Sequence, residues 1–148
     1  FGRGTAKEHQ GRCRLLQRYV ERNMEVTRRV LSELNPAYNM VLVSNFYGNI
    51  HAILRQYKID HFFSAVIESA VVGVRKPDPA IYQMGVDAAG CPAEEVLVVG
   101  DSYGKDMVPA KTVGCHAVWM RGEGWSKEEV MKRSPMPSFI TCPNCSMC

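Results

Sequence analysis

Four short apolar runs, each leading toward a polar turn, constrain this chain more than any other feature. They are Met40–Val43, Phe63–Ile67, Val96–Val99 and His116–Met120. Short apolar stretches bounded by turns read as strands buried on both faces, and their alternation with helical patterns predicts a parallel sheet. The helices between them are legible too. Ile50, Ile53, Leu54 and Tyr57 recur at i, i+3, i+4 and i+7. Asp78 reads as an N-cap with Pro79 at the first helical position. Ile81, Met84 and Ala88 then share a face, and Gly90 is the stop signal. A shorter helix ends near Gly114. The predicted fold class is α/β, a Rossmann-like parallel sheet with helices on both faces.

The first strand is preceded by a helical pattern from Arg12 to Leu34, with Leu16, Val20 and Met24 and then Val26, Val30 and Leu34 spaced by four. Asn35-Pro36 ends it, because the residue before proline is driven out of the α region. The basic excess of a chain of net charge +3 sits early: Arg3, Lys7, Arg12, Arg14, Arg18, Arg22, Arg28 and Arg29. Glu8, Glu21, Glu25 and Glu33 interleave with them, which favours a solvated helix face over a nucleic-acid surface. A composition of 46% hydrophobic and 22% charged residues is globular. No apolar run approaches the roughly 18–20 residues of a membrane span, and no signal-type apolar segment opens the chain, so the expected compartment is cytoplasmic. After the fourth run, Ser126-x-x-Glu129 reads as a capping box opening one more helix, and Ser138–Thr141 as a small last strand. Cys142, Cys145 and Cys148 have a spacing that presents thiolates to zinc or an iron–sulfur cluster. A closed site needs a fourth ligand and none follows, so the expectation is an unstructured terminus.

Ligands of such sheets bind beyond the carboxyl ends of the strands, and right-handed crossovers bring the relevant loops to one edge. Ser44 and Asn45 follow the first run, Lys76 the second, and Asp101 and Asp106 the third. A hydroxyl with an amide, a cation and two carboxylates suit a phosphate with Mg2+. Carboxylate oxygens are hard ligands for a small hard cation. Lysine offers a point charge to phosphoryl oxygens, and serine with backbone N–H groups offers donors. Singly, each of these is an ordinary turn, cap or loop residue. Their order, each after a strand, carries the reading.

These residues resemble the haloacid dehalogenase-like hydrolase superfamily, in the branch with a helical cap. Val41-Leu-Val-Ser44-Asn45 is similar to its second motif, Lys76 in Val74-Arg-Lys-Pro-Asp-Pro79 to its third, and Val98-Val-Gly100-Asp101-x4-Asp106 to its fourth. The resemblance covers roughly residues 25–122. It implies Mg2+-dependent hydrolysis of a small phosphorylated metabolite through a phosphoaspartyl intermediate. Ser44 and Asn45 would bind the phosphoryl group, and Lys76 would neutralise it and hold the nucleophile's charge. Asp101 would bind Mg2+, and Asp106 would support the metal or fix Lys76. The first motif, Asp-x-Asp after an apolar strand, is absent: the aspartates are Asp60, Asp78, Asp87, Asp101 and Asp106. The expectation is therefore an N-terminally truncated fold that lacks its central first strand and most of its cap. Residues 1–24 would be a cap remnant or a linker helix, 25–141 a partial core and 142–148 a Cys-rich tail. As this piece it would be inactive. The competing expectations are a non-catalytic remnant that binds phosphate, Mg2+ or a partner chain, and a metal-binding module built on the three terminal cysteines.

Overall fold

The computed structural model describes residues 6–120 and 141–143. Helix α1 (Ala6–Leu34) leads into β1 (Tyr38–Ser44), α2 (Ile50–Gln56) and β2 (Ala65–Glu68). There follow α3 (Ser69–Val72), α4 (Pro79–Ala89), β3 (Leu97–Gly100), a π-helical turn (Tyr103–Met107), α5 (Val108–Thr112), β4 (His116–Trp119) and β5 (Thr141–Pro143). The four apolar runs are the four strands β1 to β4, with ends shifted by no more than two residues. Asp78 caps α4 as its sequence predicts: its Oδ1 accepts from Ala80 N at 2.9 Å, with Pro79 opening the helix. Gly90 ends that helix at φ 73°, in the left-handed region that glycine enters without Cβ strain.

The sheet order is β2-β1-β5-β3-β4. β1 runs parallel to β2 from Val41–Ala65 to Ser44–Glu68, and β3 parallel to β4 from Leu97–His116 to Gly100–Trp119. β5 is antiparallel to both of its neighbours, so β1 and β3 run in the same direction. The carboxyl ends of β1 to β4 therefore share one edge, which gathers the candidate loops there. The four strands of the apolar runs are parallel, as the sequence leads one to expect, and one further strand at the centre of the sheet runs against them. A C-terminal strand lies between β1 and β3, pairing Thr141–Pro143 with Tyr38–Met40 and Thr141 with Leu97. Cys142 and Pro143, assigned above to a tail, belong to this strand, whereas Ser138, Cys145, Cys148 and the Ser126–Glu129 capping box lie outside the described residues. Beyond the Met40–Thr141 level a cavity of about 110 Å3 separates the two strands, lined by Val41, Val43, Val98 and Val99 with Lys76 and Tyr82.

Both faces of the sheet are covered, which is why its strands read as unbroken apolar runs. One core joins Ile81, Tyr82 and Val86 of α4 to Val96, Val98, Ala110, Ala117 and Trp119. The other packs Leu31 of α1 with Met40, Ile50, Leu54, Ile59 and Phe62. Successive β1 residues serve opposite sides: Leu42 packs on the second core and Val43 on the first. Full burial of a side chain such as Leu31 contributes roughly 1.5–3 kcal/mol.

In α1 the helix is as expected, and its buried face follows the spaced rows only in part. Val26 and Val30 stand exposed, while Met24, Leu31 and Leu34 make the contact. Arg28 fastens the helix in this orientation: its Nε and Nη2 donate to the Tyr57 carbonyl at 3.3 and 3.1 Å, at the C-terminus of α2. A cation there complements the partial negative charge of the helix end. The boundary expected at residue 24 falls inside this one continuous helix. No helix among the described residues is long and apolar enough to cross a membrane.

Candidate active site

The tightest structure at the carboxyl edge is built around Asp106. The residue is 3% exposed, and a buried carboxylate must have its lone pairs satisfied or cost several kcal/mol. Here each oxygen is taken. Oδ1 accepts from Lys76 Nζ at 2.9 Å and from the Tyr82 hydroxyl at 2.6 Å, and Oδ2 accepts from Ser102 N at 3.0 Å. The π-helical turn aims the side chain back at the strand end, with Asp106 N donating to the Ser102 carbonyl at 2.8 Å. Gly100 is required for this approach, because a Cβ there would overlap the Asp106 carboxyl group.

Lys76 is fixed from two directions. Its ammonium meets Asp106 and lies 5.8 Å from the centre of the Tyr82 ring. Its backbone is gripped by the Asn45 side chain, whose Nδ2 donates to the Lys76 carbonyl at 3.1 Å and whose Oδ1 accepts from Lys76 N at 2.8 Å. The Lys76–Pro77 peptide is cis. An ammonium has three N–H donors. The Lys76 side chain is 18% exposed against 4% for Asp106, so the pair turns its cationic member toward solvent.

Tyr82 is 1% exposed and held protonated far above the usual tyrosine range. Burial is the main cause, followed by the Asp106 charge, the hydrogen bond to Asp106 and the Asp101 charge. The phenol therefore acts here as a permanent donor to Asp106.

The loop after β1 is pinned by the end of β2. Ser69 Oγ accepts from Phe46 N at 3.1 Å and donates to the Phe46 carbonyl at 3.3 Å. Glu68, 1% exposed, accepts from Gly48 N and Ile50 N through Oε1, while its buried Oε2 has no hydrogen-bond partner among the described residues. Ser44 pairs in register with Glu68 at the last rung of β1 and β2.

The structure thus brings together Asn45, Lys76 and Asp106 in one hydrogen-bonded unit. Ser44 and Asp101 stand at the ends of β1 and β3 on the same edge, and their hydroxyl and carboxylate are not part of that unit among the described residues. Asp101 is exposed; its carbonyl accepts from Trp119 Nε1 at 3.0 Å, which ties the loop to β4. Asp106, expected to support the metal or to fix Lys76, holds Lys76 through Oδ1, while its Oδ2 accepts from Ser102 N. No group of three or more His, Cys, Asp or Glu suited to a metal occurs among the described residues.

Sequence reasoning missed Tyr82, Glu68, Ser69 and the steric role of Gly100. An acid closing an apolar run was a usable signal for Glu68. Nothing local marked Tyr82, which sits beside Ile81 on an apolar helix face.

A family model described as haloacid dehalogenase-like hydrolase matches residues 7–114. The haloacid dehalogenase-like hydrolase domain-containing protein 3 of Danio rerio is 38% identical over 73 residues, 49% of this chain and 30% of that protein. A glyceraldehyde 3-phosphate phosphatase of Pyrococcus abyssi is 38% identical over 91 residues, 62% of this chain and 38% of that protein. The phosphoserine phosphatase of Thermus thermophilus is 43% identical over 60 residues, 40% of this chain and 24% of that protein. The chain thus spans between 24% and 38% of the length of these relatives. Among solved structures, a phosphatase from Thermococcus onnurineus superposes with a TM-score of 0.61 at 29% identity, over 65% of this chain and 45% of that one. A magnesium-bound hydrolase from Bacillus subtilis shares the fold with a TM-score of 0.56 at 24% identity, over 62% of this chain and 42% of its own. With these matches laid over a parallel edge that carries Ser44, Lys76, Asp101 and Asp106 in the expected order, the chain belongs to the haloacid dehalogenase-like hydrolases.

Proposed function

We propose that this chain carries the phosphate-gripping and metal-binding part of a phosphatase that hydrolyses small phosphorylated metabolites in the cytoplasm. The observation that carries the reading is the fixed ammonium of Lys76. Asp106 and the Asn45 clamp set its position before any ligand arrives, and part of its donor capacity faces solvent. Phosphoryl transfer depends mainly on such preorganised charge, because little reorganisation is then needed as charge develops. Ser44 would donate its hydroxyl to a phosphoryl oxygen, and Asn45 would contribute backbone N–H. The phosphatase names of several relatives support the reaction class.

Mg2+ fits this edge in a limited way. Asp101 offers an exposed carboxylate, while Asp106 is neutralised by Lys76 and would reach a cation only through water. Bound there, Mg2+ would offset phosphate charge while keeping most of its waters, so its affinity for this chain is expected to be weak. The nucleophile of a phosphoaspartyl route is proposed to come from outside this sequence, since no two of its aspartates form Asp-x-Asp. That same lack favours a second reading, a non-catalytic chain that binds phosphate, Mg2+ or a partner.

Phosphate release from a panel of small esters, with and without Mg2+, separates the two. We expect no turnover by the 148-residue chain. Joining an Asp-x-Asp strand and cap upstream should give Mg2+-dependent turnover that K76A abolishes. An extended protein that binds phosphate yet hydrolyses nothing would favour the non-catalytic reading. Turnover by the unextended chain, lost in D101N or K76A, would require a nucleophile within it.

A further inference from the structure

We propose that the Ser44 hydroxyl serves two acceptors in turn: the buried Oε2 of Glu68 while the site is empty, and a phosphoryl oxygen once a ligand is bound. Glu68 is then a positioning residue that holds the Ser44 hydroxyl and competes with phosphate for it. The competition rests on the reading of Ser44 as a phosphate donor; the bond between Ser44 and Glu68 does not.

The pleat of the sheet places the two side chains together. Ser44 and Glu68 are register partners at the last rung of the parallel pair β1 and β2. Leu42 and Val66, two residues earlier on each strand, both pack against the core that holds Ile50 and Leu54 of α2. Side chains alternate along a strand, so Ser44 and Glu68 point to that same side. Neighbouring strands lie about 4.8 Å apart, a gap that a serine and a glutamate side chain span between them.

Their hydrogen-bonding needs are complementary. Glu68 Oε1 is fixed by two donors of the loop that follows Ser44, Gly48 N at 2.6 Å and Ile50 N at 3.3 Å. Oε2 is buried without a partner among the described residues, a costly state for a carboxylate oxygen withdrawn from water. Ser44 is half-buried, and its hydroxyl forms no hydrogen bond among the described residues. The other side-chain donors beside it are taken: the Ser69 hydroxyl by the Phe46 carbonyl, and the Asn45 amide by the Lys76 carbonyl. Serine carries a single O–H, which turns to suit its acceptor but cannot serve two at once. Phosphate therefore gains the Ser44 donor only by returning Glu68 Oε2 to its unpartnered state, and Glu68 lowers phosphate affinity. A glutamine at this position keeps an acceptor for Gly48 and Ile50, and its amide N–H would donate to Ser44 Oγ, leaving the Ser44 hydrogen free for phosphate.

The test is titration with inorganic phosphate of the 148-residue chain and its E68Q, S44A and S44A/E68Q variants. E68Q should bind phosphate about fivefold more tightly than wild type, the worth of one hydrogen bond, whereas S44A and S44A/E68Q should bind equally. A gain in E68Q that persists in the S44A background would be an effect of charge alone and overturns the competition. So does unchanged affinity in an E68Q protein that keeps the wild-type amide signals of Gly48 and Ile50. The bond itself is read in the ligand-free wild type, where the Ser44 hydroxyl proton should be protected from exchange and coupled by NMR to the Glu68 carboxyl carbon. A freely exchanging Ser44 hydroxyl overturns the bond, whatever the variants do. A protected hydroxyl in a chain that binds no phosphate supports the bond and overturns the phosphate reading together with the competition.

Discussion

Asp101 and Asp106 lie in the same loop at the end of the same strand, yet they occupy opposite circumstances. Asp106 is sealed in, with its oxygens divided among an ammonium, a phenol and a backbone N–H. Asp101 stands exposed, and its fixed atom is the main-chain carbonyl held by Trp119. The difference shows that an acidic pair in sequence need not be a pair in chemistry. Burial beside a cation turns one carboxylate into a positioning group, while solvent leaves the other free to meet a cation or a ligand.

The largest effect should come from emptying the buried side. D106A leaves the Lys76 ammonium without its counter-ion in a partly desolvated place, and urea unfolding should show a loss of about 3 kcal/mol. Substitution of its second donor should cost less. Y82F removes a hydrogen bond to a charged acceptor, for an expected loss of about 1.5 kcal/mol. It should also change the alkaline limb of stability. The Tyr82 phenol holds its proton more tightly folded than unfolded, so its contribution is complete below the ordinary tyrosine value near 10 and falls as pH rises past it. Unfolding curves at pH 9 to 11 should be less steep in pH for Y82F than for the wild type. A parallel decline in both would show that Tyr82 ionises freely.

N45A should follow, at about 1–2 kcal/mol for two hydrogen bonds to the Lys76 backbone. D101N belongs at the bottom of the series, within about 0.5 kcal/mol of wild type, because its carboxylate is exposed and outside the hydrogen-bonded unit. A loss in D101N as large as that in D106A would erase the contrast between the two acids.

Local signals were legible because short stretches of chain encode them. The Val41–Val43 run, the Asp78 cap and the Gly90 stop each depend on neighbours within a few residues, and each is found where the sequence puts it. The rotation of α1 was not legible. Val26 and Val30 have the right spacing for burial, but it is Leu31 that turns inward, beside a contact of Arg28 with Tyr57 made across 29 positions. The central strand shows the same limit. Thr141–Pro143 could be read as extended, yet its insertion between β1 and β3 depends on pairing partners about a hundred and about forty-five positions away. In the site, residues that follow strands were found from their order. Tyr82 and Gly100 were missed because a partner and a steric clearance exist only once α4 and the β3 loop have packed together.

The central claim is that Lys76, fixed by Asp106 and Asn45, presents a preformed grip for phosphate. Its most direct test is a titration of the 148-residue chain with inorganic phosphate, followed residue by residue through backbone amide NMR shifts in wild type and K76Q. The account predicts saturable shifts centred on Ser44, Asn45 and Lys76 that K76Q abolishes without loss of the folded spectrum. Shifts centred elsewhere, or equal affinity in the folded K76Q protein, would contradict it.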